Sequence, residues 1–342
     1  MENFGSKSYR KLRVELRKNL KKIIYFACDN GLGHIKRSVT ISNKLGKYYK
    51  IILHTDLKKL KKFKLVNKIN KKKFNFNTKI NSIDNNFLKK IKKLNIKKND
   101  LIISDNYPDF CLLETSLIIY ANFFCHEIFK INNKKTKHIL NQLIKKKIPI
   151  FGNYIFQFIK KKELKLKKIG FIGKFEGNLK KYRNILVSLG TAEINAQIKK
   201  KIIFQISEEL KKNKDIHYYF DEMYFQKFKK FKNVFCADYT KKMYKKISIC
   251  IGKPGMGTIN DCFRYGIILI SLDLPFNQEF KVNSRIITQK KLGISVKSFR
   301  SALIKAKKIL NNKKFFYKYF KIFKNLRWNG ELDILDFIRN NY

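Results

Sequence analysis

The stretch Ile251-Gly252-Lys253-Pro254-Gly255-Met256-Gly257-Thr258-Ile259-Asn260-Asp261-Cys262 constrains this chain most. An apolar run over 247–251 precedes it and reads as a buried strand, while the residues from Thr258 to Tyr265 have helical spacing. A glycine-rich turn therefore joins a strand end to a helix start. Glycine lets the backbone approach a ligand closely and take φ values that other residues resist. The first amides of a helix lack internal partners, and the helix dipole adds partial positive charge there. Together these features suit a phosphate. A second strand is expected over 267–271, followed by Leu272-Asp273-Leu274-Pro275-Phe276-Asn277-Gln278-Glu279. Polar residues past a strand end, beside such a turn, fit a nucleotide pocket at the carboxyl edge of a parallel sheet.

The same pattern recurs along the chain. Lys22 to Cys28 reads as a strand, Asp29 to His34 as a turn, and Ile35 to Leu45 as a helix. Strands are expected over 51–54, over 101–104 ending at Asp105, and over 116–120 ending at Ala121-Asn122-Phe123-Phe124-Cys125-His126. Residues 58–100 are rich in lysine and asparagine, with short apolar islands at Phe74 and Phe76. Around 151–176 the pattern breaks. It resumes with a strand over 185–188 ending at Leu189-Gly190-Thr191, a helix over 192–212, and strands over 216–220 and 234–236. Residues 298–342 read as helices. Strands alternating with helices imply parallel α/β sheets. The expected layout is a basic arm over 1–20, which reads as a helix over Tyr9 to Leu20, one α/β domain over 21–160, a second over 180–325, and a last helix over 326–342 that returns to the first domain. Two such domains would leave a cleft, a preferred place for a ligand.

Composition bounds the partners. The 342 residues carry 78 basic and 25 acidic side chains, a formal charge of +53. A polyanion partner is one reading. Coding bias is the other, and it is favoured as the main source because only ten of the basic residues are arginine and A/T-coded residues abound. Nucleic-acid and phosphate sites lean on the arginine fork. The six cysteines, Cys28, Cys111, Cys125, Cys236, Cys250 and Cys262, include no C-x-x-C pair and mostly fall in apolar segments. They read as reduced, buried thiols rather than a zinc site. The charged first twenty residues do not resemble a secretory signal, and no apolar run reaches the ~18 residues of a membrane span. The expectation is a cytoplasmic protein. Peripheral contact with an anionic membrane through Lys7 to Lys22 stands open beside a solvated basic face.

Four motifs carry a resemblance to the GT-B glycosyltransferases, two Rossmann-like α/β domains with parallel sheets facing an inter-domain cleft, and within them to glycosyltransferase family 28. The resemblance covers nearly the whole chain from Lys22. Gly255, Met256, Gly257 and Thr258 with Asp261 resemble the helix start that meets a UDP-sugar diphosphate, with Asp261 in the place of the acidic residue, more often Glu, that holds the ribose. Asn277, Gln278 and Glu279 resemble the cluster that holds the donor sugar. Ser188, Gly190 and Thr191 resemble the loop after the first strand of that domain. Gly31, Gly33, His34 and Arg37 resemble the loop that faces diphosphate and acceptor. Their Gly-Leu-Gly-His-x-x-Arg form is closer to the nucleotide-sugar hydrolase of pseudaminic acid synthesis and to the transferase-like region of arabinokinases. The latter is also similar at Ser104-Asp105, at Ala121-Asn122-Phe123 and at the 252–258 turn.

The chemistry this implies is displacement at an anomeric carbon through an oxocarbenium-like state. The acceptor hydroxyl needs a base that works near neutral pH. His34 is the first candidate, and Asp105 competes with it. The leaving diphosphate needs stabilising charge. No Asp-x-Asp occurs, so helix dipoles with Lys253 or Arg37 are expected to supply it, with no metal and no cofactor beyond the nucleotide-sugar substrate. Asn122 and His126 are expected on the acceptor side. Two other functions compete: a nucleotide-sugar hydrolase using the same cleft, and a non-enzymatic basic protein that binds polyanions. Against the second, no nucleic-acid-binding motif is present, and no specific nucleic-acid partner is expected.

Overall fold

The computed structural model describes residues 22–28, 32–61, 63–65, 69–73, 91, 93–94, 96–124, 134–179, 182–189, 196–273 and 278–342. The basic arm over 1–20 and the islands at Phe74 and Phe76 lie outside them. The chain forms two compact units. One comprises residues 1–173 with 329–342, the other residues 174–328.

The first unit is built on a seven-stranded sheet of β1 (Ile23–Phe26), β2 (Ile51–Thr55), β3 (Ile69–Lys73), β4 (Leu101–Asp105), β5 (Ser116–Tyr120), β6 (Ile150–Asn153) and β7 (Leu166–Ile169). All neighbours pair in parallel, in the order β3-β2-β1-β4-β5-β6-β7. The central strands are apolar throughout because both faces are covered. One face gathers Ile23, Tyr25, Leu101 and Ile103 under helix α1 (Leu32–Leu45) and the last helix of the chain. The other gathers Ile24, Phe26, Ile102 and Phe110. A short helix, α2 (Leu57–Leu60), follows β2, capped by the Asp56 carboxylate on the amides of Lys58 and Lys59. Helix α3 (Lys134–Lys145) precedes β6 and buries Ile139 and Leu143.

The second unit has six parallel strands: β8 (Asn184–Ser188), β9 (His217–Phe220), β10 (Val234–Cys236), β11 (Ile249–Gly252), β12 (Ile268–Leu272) and β13 (Ile294–Val296), in the order β10-β9-β8-β11-β12-β13. Helices α4 (Ala196–Lys212), α5 (Glu222–Phe228), α6 (Lys241–Tyr244), α7 (Met256–Arg264), α8 (Gln278–Gln289), α9 (Phe299–Leu310) and α10 (Lys313–Lys324) connect and follow them.

Helix α11 (Gly330–Asn341) belongs to the first unit. Its first-turn carboxylates hold the chain after β7: Glu331 accepts from the Gly173 amide at 2.7 Å and Asp333 from the Gly170 amide at 2.9 Å. Gly330 packs directly on the Gly170 carbonyl, where a Cβ would clash.

Two expected turns are shorter than the glycine spacing suggested. Helix α1 begins at Leu32 rather than Ile35, and α7 at Met256 rather than Thr258. Gly33, His34 and Gly257 therefore sit in first helical turns. Glycine's helix penalty applies mainly to interiors, where a backbone bond must be kept. First-turn amides make no such bond, so glycine is tolerated there.

Candidate functional site

In each sheet the chain reverses its direction of travel at one place. From β1 it moves outward to β2 and β3, then returns to β4 on the other side of β1. From β8 it moves to β9 and β10, then returns to β11. The crevice past the carboxyl ends of two such strands is where open parallel sheets take ligands. His34, Arg37 and Asp105 lie at the first of these points, and Ser188, Lys253 and the start of the helix after β11 at the second.

At the first, α1 follows β1 and places His34 and Arg37 one turn apart on the same face. Asp105 closes β4, with Asn106 after it in the left-handed region at φ 69°. The loop beyond is fixed by the Ser104 hydroxyl, which donates to the Tyr107 carbonyl at 2.8 Å. Asp105 is fully buried, and three contacts meet its carboxylate. His34 Nδ1 lies 3.0 Å from Oδ1, Arg37 Nε donates to Oδ2 at 3.3 Å, and Arg37 Nη2 donates to Oδ1. Arg37 Nη2 also lies 2.9 Å from His34 Nδ1. The guanidinium stacks on the Tyr120 ring, with Cζ 4.1 Å from its centroid. Burial opposes ionisation of Asp105, but the Arg37 cation and then His34 outweigh it, and the carboxyl is held below the ordinary carboxylate range. Burial likewise opposes the Arg37 charge, yet the Asp105 anion wins and strengthens it. A buried ion pair keeps its charges only when geometry and further hydrogen bonds are this good.

The structure thus joins His34 and Asp105, which sequence reasoning set against each other, and ties Arg37 to both. Asn122, just past β5, uses its side-chain oxygen to accept from the Asn153 amide at 2.7 Å, and its carbonyl accepts from Phe158 at 2.9 Å. Its oxygens join the loops after β5 and β6. Gly31 and His126 lie outside the described residues.

At the second switch point the backbone does the shaping. Gly252 ends β11 against the Ser188 carbonyl, so a Cβ there would clash, and the Lys253 amide donates to that carbonyl at 3.2 Å. From the other side, Asn283 of α8, buried to 1% exposure, donates its amide to the Pro254 carbonyl at 2.8 Å. Gly255 then takes the N-cap position of α7 with no side-chain cap and no acidic residue in the first turn. The amides of Met256, Gly257 and Thr258 open the helix without internal acceptors. Lys253 is 6% exposed, and its ammonium lies 6.0 Å from the centroid of the Phe280 ring. Burial lowers its pKa below the ordinary lysine value, with Asp221 opposing.

Asp261 lies one turn further along α7 and is 8% exposed. Its Oδ2 accepts from the Tyr244 hydroxyl at 2.8 Å, and Tyr244 stacks on Tyr265 with centroids 4.9 Å apart. Gln278 and Glu279 open α8, while Gly190, Thr191 and Asn277 lie outside the described residues. Sequence reasoning missed Asn283, Tyr120 and Tyr244. Tyr120 closes β5, Tyr244 ends α6 and Asn283 lies inside α8, and only the packing sets them against Arg37, Asp261 and the Pro254 carbonyl. Among the described residues, no group of three or more His, Cys, Asp or Glu side chains is placed to hold a metal ion, and no helix is long and apolar enough to cross a membrane.

No protein-family model matches the chain, and no curated protein sequence matches it. Solved structures do. MurG of Acinetobacter baumannii superposes with a TM-score of 0.59 at 12% identity, covering 94% of this chain and 99% of that one. CalG4, the calicheamicin glycosyltransferase, gives 0.56 at 12% identity, with 94% and 98% covered. Arabidopsis thaliana UGT89C1, solved with quercetin, gives 0.61 at 9% identity, with 93% and 98% covered. At these identities the likeness speaks for architecture, and it agrees with the two parallel sheets: the chain has the fold of the GT-B glycosyltransferases, two Rossmann-like α/β units.

Proposed function

We propose that this chain transfers a sugar from a nucleotide donor, UDP by the family-28 resemblance, to a hydroxyl on a glycan or lipid-linked acceptor. The observation that carries the reading is the His34–Asp105 pair at the switch point of the first sheet. With its proton on Nδ1, the imidazole donates to Asp105 and leaves the Nε2 lone pair as a base. The acceptor O–H proton passes to Nε2 as the oxygen attacks the anomeric carbon. The bond from that carbon to the diphosphate oxygen breaks, and the leaving group takes the electron pair. Attack opposite the leaving group inverts the centre. The second unit supports the other half of the reaction: the uncapped start of α7 and the buried Lys253 supply fixed positive charge for a diphosphate without calling on a metal. On this reading Ser188, Gly190, Thr191 and the 253–258 turn hold the nucleotide, and Asn277, Gln278 and Glu279 hold the sugar. Asp261 holds the ribose only by exchanging or sharing its Tyr244 bond. The protein works at the cytoplasmic side, peripheral to the membrane if its acceptor is lipid-linked.

The test is a panel of UDP-, GDP-, dTDP- and CMP-sugars with wild type and His34→Ala, reading released nucleotide with and without a glycan or lipid extract. Release that requires the extract, is lost in His34→Ala, and is accompanied by a thermal shift with UDP in both proteins supports transfer. Release without any acceptor replaces transfer by hydrolysis. No release from any donor together with no thermal shift ends both enzyme readings.

A further inference from the structure

Resting on the base role given to His34, we propose that Arg37 is a positioning residue: it balances the charge of Asp105 beside the His34 ring and holds the pair in place, and it does not contact the donor phosphate. The geometry supports this in three ways. First, Arg37 spends Nε and Nη2 on the two oxygens of a fully buried carboxylate, and Tyr120 fixes the plane of its guanidinium from below. A guanidinium held at Nε and Nη2 and covered on one face has little freedom to turn toward a diphosphate. Second, His34 Nδ1 stands at nearly equal distance from an anion and a cation, 3.0 Å from Asp105 Oδ1 and 2.9 Å from Arg37 Nη2. A proton added to the imidazole would gain from one charge and lose to the other. Asp105 alone would stabilise the imidazolium and take the base out of use near neutral pH. Third, among the described residues the other charged groups on the elements packed around α1 lie on partners of their own.

That last point needs each packed element in turn. From β1 comes Tyr25, whose hydroxyl burial, and then Asp105, push well above the ordinary tyrosine value, so it brings no charge. From β5 comes Tyr120, also raised, by burial before all else. The histidine of β2, His54, stacks on Phe26 at 4.7 Å, and burial, followed by Lys72, holds it neutral down to about pH 4. At α2, Asp56 is spent on the helix amides and on Lys59. The charges of α11 lie on other partners: Glu331 and Asp333 on the amides after β7, Asp336 3.8 Å from Arg339, and Arg339 over the Tyr48 ring. Among the described residues, the charged groups that contact the His34 ring are Asp105 and Arg37.

The experiment titrates the His34 ring by NMR in the full-length protein, assigning its signal among the five histidines by its loss in His34→Ala. Arg37→Met should raise the His34 pKa by about one to three units, Asp105→Asn should lower it, and Arg37→Lys, which keeps the charge, should leave it nearer to wild type. In kcat/KM the acidic limb should move the same way, so Arg37→Met loses activity at pH 7 and regains it at higher pH. UDP binding, read by thermal shift, should stay within about twofold of wild type. A His34 titration unmoved in Arg37→Met, with UDP binding weakened tenfold or more, would overturn the proposal and return Arg37 to the donor. Should Arg37→Met fail to fold, Arg37→Gln and Arg37→Lys carry the same comparison: the neutral side chain moves the titration and the charged one does not, or the idea fails. The ring titration needs no turnover, so it stands or falls separately from the transferase reading.

Discussion

The two switch points solve the same problem with different materials. At the end of β4 and the start of α1, function rests on side chains: a histidine, a buried carboxylate and a guanidinium that neutralise one another within 3.3 Å. At the end of β11 and the start of α7, it rests on main chain: a glycine pressed on a neighbouring carbonyl, a turn pinned by Asn283, and a row of amides with no acceptor inside the helix. The difference follows from the tasks assigned to each. Moving a proton needs a group that changes charge, which only a side chain offers. Holding an anion needs fixed dipoles that do not relax, which backbone amides at a helix start supply best. It follows that removing the imidazole at the first point should change rate while leaving fold and binding alone. Substitutions at the second should change binding and stability together.

The largest expected effect tests the first half of that contrast. His34→Ala should lower kcat by about 10²–10⁴-fold, the usual contribution of a general base. Asp105→Asn should cost less, since the imidazole remains and loses only its orientation and part of its basicity. Both variants should keep the wild-type thermal response to UDP. A His34→Ala protein with unchanged turnover, or one that no longer responds to UDP, would erase the division between the two points.

Gly252→Ala tests the other half. The added methyl has nowhere to go, because the Ser188 carbonyl belongs to the adjoining β8 and cannot swing away as a flexible side chain would. Overpacking of this kind typically costs 1–3 kcal/mol, occasionally more. The chain has one tryptophan, Trp328, and it lies in the second unit with its indole N–H on the Phe323 carbonyl at 2.9 Å. Its fluorescence therefore reports unfolding of that unit alone. In urea the tryptophan transition should move to lower concentration in Gly252→Ala, and UDP binding should weaken with it. Hydrogen exchange over 101–112 in the first unit should not change. If the tryptophan transition stays put, the backbone of β8 and β11 yields to a methyl group at this point.

How much of this was legible beforehand follows the same division. The central strands were, because burial on both faces writes them as unbroken apolar runs. Ser116–Tyr120 and Val234–Cys236 fall where the residues place them, and β1, β2, β4, β8, β9, β11 and β12 agree within a few residues. Of the four edge strands, β10 was legible and the other three were not. In β3 only Ile69 is buried, and Asn70 to Lys73 point to solvent, so Ile-Asn-Lys-Lys-Lys carries no strand pattern. β7, Leu-Lys-Lys-Ile, fails for the same reason. Lysine on an edge discourages pairing with other chains, and that function hides the strand from a reader of hydrophobicity. β6 was lost in the glycine and lysine stretch around 151–176, and the three-residue β13 is too short to show a period. At the candidate site, glycine and histidine spacing pointed to the two strand ends. It did not reveal that His34 and Asp105, 71 residues apart, are partners rather than rivals. Contacts of that separation come from sheet order, which local patterns do not encode.

The smallest expected effect lies inside the first unit, where two buried ionisable groups pull its stability in opposite directions with pH. Asp109 follows β4 in the turn Pro108–Leu112, and burial raises its pKa to about 6, with its own backbone amide and then Lys135 opposing. The folded state therefore holds a proton that the unfolded chain gives up near pH 4, and stability falls as pH rises from about 4 to about 6. His54 is the mirror case. Burial, and then Lys72, lower it to about 4, so the unfolded chain binds a proton first and stability rises over about pH 4 to 6.5. Each unit of difference is worth about 1.4 kcal/mol, so Asp109 carries at most about 3 kcal/mol. Asp109→Asn removes the cost of ionisation and keeps a buried amide that needs partners of its own, so the net gain at pH 7.5 should be about 1–2 kcal/mol. At pH 4 the gain should vanish, because wild-type Asp109 is then protonated in the folded state. Hydrogen-exchange protection of 101–112 at the two pH values measures the difference directly, and the Trp328 signal should stay level between the two proteins throughout. A gain of equal size at both pH values would mean that the carboxyl is not held neutral by its surroundings, and that the turn tolerates asparagine for a reason of shape instead.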